Sequence, residues 1–363
     1  MKILHLHTEL NLACGITRTI SQIISKSSVE FEHHLISMGG NAIKRFEANT
    51  IHLKVVSINR HSLPGTIKLF FILINYCRKK SIQIVHSHHR YFDALIWFIR
   101  PFLKVKTVTS IQSKVYGKKV LSYKADMLIA CSNTIKKHLI SNFNLPEYRI
   151  KVIYNSVDPA VLKTTVDKQK LKTELGINPQ DFVIGFVGRI DFAEKGIDLL
   201  LAAFRELQNY KMKIHLLMIG DGPNHLEVQE FYELNKSEVS LLSSKENIFD
   251  YYNLMDLVVL PSRVDPFPLA MLETGLMNLP FIGSNVDGIA ELIQHEKYGL
   301  LFESRNVDDL KIQILRIFKD KTLADTLAYN LNKKVFESYT VEKIIPQYEV
   351  LYKNILNGIH ENC

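Results

Sequence analysis

Two carboxylates and the start of a helix meet in the stretch Pro261–Glu291, PSRVDPFPLAMLETGLMNLPFIGSNVDGIAE. The apolar run Leu257–Leu260 before it reads as a buried parallel strand, and Leu269, Leu272 and Leu276 recur at helical spacing after it. A strand therefore empties into a loop that opens a helix. Asp265 lies in the loop and Glu273 eight residues on, inside the helix, while Pro266 and Pro268 fix φ around the helix start. The N–H groups of Phe267, Leu269 and Ala270 would point out of a helix N-terminus, where the peptide dipoles favour an anion. The expected ligand is phosphorylated.

Two cations stand where they would join this site. Arg189 and Lys195 occupy the loop after the first strand of the second half, on the same sheet edge as Asp265 and Glu273 if the strands are parallel. A guanidinium, an ammonium and a helix N-terminus converging there suit a diphosphate. The chain has no Asp-x-Asp, so these cations are expected to replace a metal in neutralising a leaving group, and neither metal nor cofactor is expected. Taken alone, Lys195 reads equally as a solvated lysine at a helix start.

A third group is basic and aromatic. His86, His88, His89 and Arg90 crowd the end of a strand in HSHHRY, with His7 ending the first strand. The spacing matches no common zinc pattern and carboxylate partners are missing. His88 and His89 either hydrogen-bond a polar substrate beyond the strand ends or serve as ordinary loop residues. Gly15, in NLACGIT, either lets a ligand approach the backbone or is a plain turn glycine, since the full dinucleotide fingerprint is absent.

The elements that must hold these residues alternate. Strands are expected at Lys2–His7, 34–38, 82–86, 107–111, Met127–Ala130 and 152–154, with helical patterns between, and again at 183–187, Ile214–Ile219, Val239–Leu242 and Leu257–Leu260. Parallel strands need such crossovers, so the pattern predicts two doubly wound α/β units. At 363 residues the chain exceeds one ordinary core. The expected division is 1–160, 161–340 and a helical segment in 341–363, whose Ile344, Ile345, Tyr348, Leu351 and Tyr352 have apolar surface to dock. The residues beyond Asn357 are expected to fray.

Charge divides along the same line. The net charge is +8, yet residues 1–160 carry 23 Lys and Arg against 8 Asp and Glu, and the remainder carry 22 against 29. A basic half suits an anionic surface, here a membrane, whereas the chain shows no aromatic-basic module for nucleic acid. The 67–80 segment, IKLFFILINYCRKK, and the 94–106 segment around Trp97 each read either as buried crossover or as interfacial helix. No stretch reaches the roughly 20 apolar residues of a membrane span. The four cysteines have no metal or redox spacing and nothing resembles a signal peptide, which suits the cytoplasm.

GFVGRIDFAEKGIDLLLAAF, IGDGP, DLVVLPSRVDPFPLAMLE and IYNSVDP together resemble the donor-domain and linker motifs of retaining glycosyltransferases of family 4. The resemblance runs over nearly the whole chain, most specifically from Asn155 to Glu291. It implies the GT-B architecture, two Rossmann-like domains facing across a cleft, with an acceptor-binding first domain, a nucleotide-sugar-binding second domain and the last helix crossing back onto the first. By the same resemblance Arg189 and Lys195 stabilise the leaving diphosphate, Glu273 holds the ribose hydroxyls and Asp265 faces the donor sugar. Gly188 belongs to the glycine motif, Phe267, Pro268 and Leu269 contact sugar and phosphate through the backbone, Leu241 and Leu242 frame the base, and Gly15 lets the first loop close over the phosphates. Two positions depart from the family: Asp265 where glutamate is usual, which also suits a helix cap, and Gln112 where many relatives present a histidine to the sugar. The implied activity is metal-independent, retaining transfer from a UDP-sugar to a lipid-linked surface polysaccharide or lipopolysaccharide, peripheral at the inner membrane face. The alternatives are a catalytically silent partner subunit and a nucleotide-sugar epimerase of the same architecture.

Overall fold

The computed structural model describes residues 1–12, 14–47, 52–57, 62–117, 119–210 and 212–359. The chain divides into two compact units, one of Met1–Asn155 joined by the segment from Val341 onward, the other of Ser156–Thr340.

In the first unit the described strands are β1 (Lys2–His7), β2 (Glu32–Ser37), β3 (His52–Val55), β4 (Ile84–Ser87), β5 (Lys106–Ile111), β6 (Met127–Ala130) and β7 (Ile150–Val152). They form one parallel sheet in the order β3-β2-β1-β4-β5-β6-β7. Helical crossovers cover both faces, as parallel pairing requires. Successive side chains alternate between the faces. Leu4, Leu6 and Val85 pack with Leu69, Leu73 and Cys77 of helix Leu63–Lys80 and with Phe92 and Ile96 of helix Arg90–Ile99. On the other face Ile3, Ile84, Val108 and Ile129 pack under helix Val341–Asn357, which buries Ile344, Ile345, Tyr348, Leu351 and Tyr352 there.

Helix Leu63–Lys80 resolves its two sequence readings into two faces. Leu69, Leu73 and Cys77, four residues apart, cover the sheet, while Ile67 and Phe71 stay 50% and 64% exposed. The segment holding Trp97 behaves likewise, since Phe92, Leu95, Ile96 and Ile99 are buried but Trp97, Phe98 and Phe102 are exposed.

The second unit has β8 (Phe182–Val187), β9 (Ile214–Ile219), β10 (Val239–Leu242), β11 (Leu257–Leu260), β12 (Phe281–Ser284) and β13 (Leu300–Phe302), parallel in the order β10-β9-β8-β11-β12-β13. The chain builds outward from β8 to β10 and then returns to β11 on the other side. The point where the strand order reverses, where ligands bind in open parallel sheets, therefore lies between β8 and β11. Helix Lys321–Ser338 fixes the helix after β11: a Cβ on Gly275 would meet Val335 Cγ2 at 2.6 Å, and Asn332 Nδ2 donates to Gly275 O at 2.8 Å. The segments leaving and re-entering the unit lie side by side, with Val157 N donating to Tyr339 O at 3.0 Å.

Candidate active site

The loops after β8 and β11 meet at the reversal point and bring Lys195 to Asp265. Lys195 Nζ lies 2.6 Å from Asp265 Oδ2, which also accepts from Ser262 Oγ at 3.1 Å. Asp265 is 4% exposed, and its backbone is held from the far side, where its N–H donates to Asp287 Oδ2 and its carbonyl accepts from Gly288 N. The helix-cap role expected as an alternative for Asp265 is not found. Helix Leu269–Leu276 begins after Pro268 with no side-chain cap, and the carboxylate of Asp265 faces Lys195 and Ser262 instead.

A latch holds the two loops together. Arg263 makes two bonds to Asp198, Nη1 to Oδ1 and Nη2 to Oδ2, each 2.7 Å, and Nη1 also donates to Phe192 O. Those hydrogen bonds to Asp198 raise the already high pKa of Arg263 further, so the guanidinium is charged throughout. The N–H groups of Arg263 and Val264 both donate to Glu194 O, at 2.7 and 3.1 Å. Gly196 closes the latch in the left-handed region at φ +62°, where a Cβ would sit 2.2 Å from Pro261 O. Only glycine fits directly after Lys195.

Arg189 is half exposed and pairs with Glu194 and, at 3.1 Å, with Asp191 Oδ2. Both cations singled out from the sequence thus meet carboxylates of their own unit. Gly188 is bound by its N–H to Ile219 O, and its carbonyl lies where a Cβ on Gly220 would be, 1.8 Å away. The IGDGP turn therefore packs backbone to backbone on the Gly188–Ile190 loop. Leu241 and Leu242 end β10, partly buried and in register with Met218 and Ile219. Glu273 is 3% exposed and accepts from Tyr252 Oη at 3.0 Å through Oε2. Phe267 is buried, 5.4 Å ring to ring from Tyr339.

In the first unit the histidines separate. His89 is the N-cap of helix Arg90–Ile99, its Nδ1 accepting from Tyr91 N at 3.1 Å. His86, expected at the end of its strand, lies inside the core, where Nδ1 meets Tyr352 Oη and Nε2 meets Ser110 Oγ, each at 2.8 Å. His88 is buried against His5. Gln112 follows β5 directly and is partly exposed, and Gly15 is the first residue of helix Gly15–Lys26. Arg263, Asp198, Ser262 and Tyr252 were not singled out from the sequence. Their side-chain partners lie 3 to 65 residues away in the chain, and only the invariably charged Arg263 inside the PSRVDP motif offered a signal.

Two doubly wound parallel units, one carrying a lysine-carboxylate pair at its strand-order reversal, have the architecture of the GT-B class. The comparisons specify it further: residues 15–161 match the family model described as Glycosyltransferase Family 4, residues 181–320 match that described as Glycosyl transferases group 1, and the chain belongs to this family. It is 24% identical over 376 residues to the capsular polysaccharide biosynthesis glycosyltransferase CapM of Staphylococcus aureus, covering 98% of this chain and 97% of that one. It is also 24% identical over 328 residues to N-acetyl-alpha-D-glucosaminyl L-malate synthase of Bacillus anthracis, covering 84% of each. Among solved structures, HepE of Anabaena in complex with UDP and glucose superposes with a TM-score of 0.85 at 18% identity, over 97% of this chain and 99% of that one, a likeness of fold.

Proposed function

We propose that this glycosyltransferase moves a hexosyl group, with retention, from a UDP-sugar to a hydroxyl of a lipid-linked surface polysaccharide or lipopolysaccharide at the cytoplasmic face of the membrane. What carries the reading is the Lys195–Asp265 pair, 2.6 Å apart and mostly buried at the reversal point of the second sheet. A diphosphate arriving there takes over the Lys195 ammonium and the Arg189 guanidinium, which stabilise the charge that develops as the glycosidic bond to phosphate breaks. No metal or cofactor enters this account. Glu273, held by Tyr252, accepts from the ribose hydroxyls, and Asp265 accepts from a hydroxyl of the transferred sugar. The departing phosphate receives the acceptor's proton, and Gln112, His88 and His89 belong to the acceptor side in the first unit. The similarity to CapM, named for capsular polysaccharide biosynthesis, and to HepE, solved with UDP and glucose, supports the donor and acceptor classes.

The test is a screen of UDP-, GDP- and ADP-sugars with the purified chain, in EDTA, against lipid-linked glycan acceptors. A UDP-sugar is expected to raise the unfolding temperature and yield an α-linked product, and Lys195→Ala or Glu273→Ala to reduce turnover at least a hundredfold, as loss of a transition-state or ribose contact does. Full activity in either variant refutes the site. Donor consumption without acceptor marks an epimerase, and donor binding without product marks a silent partner subunit.

A further inference from the structure

Three imidazoles lie in series inside the first unit. His88 Nε2 and His5 Nδ1 share a hydrogen bond at 3.0 Å, and His5 Nε2 and His33 Nδ1 share one at 2.9 Å. All three side chains are buried, at 2%, 0% and 7% exposure. The row starts just past the end of β4, crosses the middle of β1 and finishes near the start of β2. The two ring nitrogens left over, His88 Nδ1 at one end and His33 Nε2 at the other, are buried with no hydrogen-bond partner.

Neutral imidazole carries one N–H and one lone pair. His5 uses both nitrogens, so it donates to one neighbour and accepts from the other. It follows that the three rings share one tautomer. If all carry the proton on Nε2, His88 Nδ1 presents a lone pair; if all carry it on Nδ1, His88 presents an N–H. Buried polar atoms without partners are rare and costly, and here they terminate both ends of one hydrogen-bonded row. His86 stands outside the row because Tyr352 and Ser110 engage its two nitrogens.

We propose that His88, His5 and His33 form one tautomeric unit, in which His5 and His33 are positioning residues that set whether His88 Nδ1 offers a lone pair or an N–H to a hydroxyl of the sugar acceptor. In either arrangement all three rings are neutral, and the two arrangements differ only in which nitrogen of each ring carries the proton. With the lone pair presented, His88 accepts a hydrogen bond from an acceptor hydroxyl other than the attacking one, whose proton goes to the departing phosphate. The unit is a property of the first sheet alone; its use on an acceptor rests on the reaction proposed above.

Imidazole-15N-labelled full-length protein at pH 7.5, without substrate, tests the unit. Long-range 1H–15N spectra are expected to show His88, His5 and His33 neutral and in the same tautomer. His33→Gln should shift the ring nitrogens of His88, which His33 does not touch, whereas His138→Gln should leave them in place. Mixed tautomers in the wild type overturn the proposal, as does a folded His33→Gln protein with unmoved His88 nitrogens. Ring nitrogens of His5, His86 and His88 lie within 4.8 Å of one another, so a transition-metal ion is the competing occupant. Stoichiometric zinc in the purified protein with metal-shifted nitrogens overturns the proposal too. In transfer assays His33→Gln is expected to raise the acceptor KM roughly tenfold, the worth of one hydrogen bond, with the donor KM unchanged. An unchanged acceptor KM removes the acceptor role, and a wild type that transfers no sugar fails the reaction while leaving the spectroscopic result standing.

Discussion

Arg263 decides where Lys195 sits, although it touches neither Lys195 nor Asp265 in any bond described above. Its bidentate pair with Asp198, together with two backbone bonds to Glu194, ties the loop after β8 to the loop after β11. Planar two-point contacts of this sort are not reproduced by lysine. Arg263→Lys and Arg263→Ala are therefore expected to lower kcat/KM for the donor about tenfold or more through a displaced Lys195, while costing about 2 kcal/mol of stability. Asp198→Asn should match them in kinetics. Donor kinetics equal to wild type in a folded Arg263→Ala protein would separate the latch from the site. At this scale motif spacing marks Arg189, Lys195, Asp265 and Glu273, of which the structure brings Lys195 to Asp265, and it does not mark residues defined only by a partner far along the chain. Asp198 and Arg263 are 65 residues apart, and no periodicity connects them.

Strands β1, β2 and β4 present a buried polar row on a face that is otherwise aliphatic and aromatic. Ile3 and His5 of β1 share that face with Ile84 and His86 of β4, and helix Val341–Asn357 seals it, Tyr352 reaching His86. Burial is the main cause that pushes the pKa of each of these rings down, to about 4 for His7 and His33 and well below the usual value for His5, His86 and His88. The unfolded chain binds their protons near pH 6.5, so their contribution is fully present above that pH and is lost as the pH falls toward 4. Between pH 6.5 and 5, His7 and His33 are expected to cost roughly 2 kcal/mol each, read as a fall in urea midpoint. A midpoint unchanged over that interval would show these rings protonated, or unburied, in the native state. Among the elements, compact apolar runs such as β6, β10 and β11 were legible even at four residues, whereas the exposed edge strand β3, the glycine-containing β12 and the three-residue β13 were not read.

For the molecule as a whole, fold class followed from alternation of strand and helix, because parallel strands leave no other connection. The charge division had a structural counterpart that composition did not contain. Leu63, Ile67 and Phe71, four residues apart, and Trp97, Phe98 and Phe102 stay exposed in the basic unit, among Lys68, Arg100 and Lys104. Apolar and cationic groups side by side suit the anionic membrane surface proposed above. Vesicles containing phosphatidylglycerol are expected to sediment the protein in low salt, neutral vesicles much less, and Ile67→Ser with Phe71→Ser to weaken binding about tenfold. Equal binding to both vesicles would remove the membrane from the account. The helix Val341–Asn357 carries a different consequence, one of timing. It supplies Ile344, Ile345, Tyr348 and Tyr352 to a core whose strands are all made within the first 155 residues, while the whole second unit is contiguous between them. On the ribosome the second unit has every one of its residues before the first has its own sealing helix. The half that begins synthesis first is the half that must wait, with one apolar sheet face uncovered, until the other is complete.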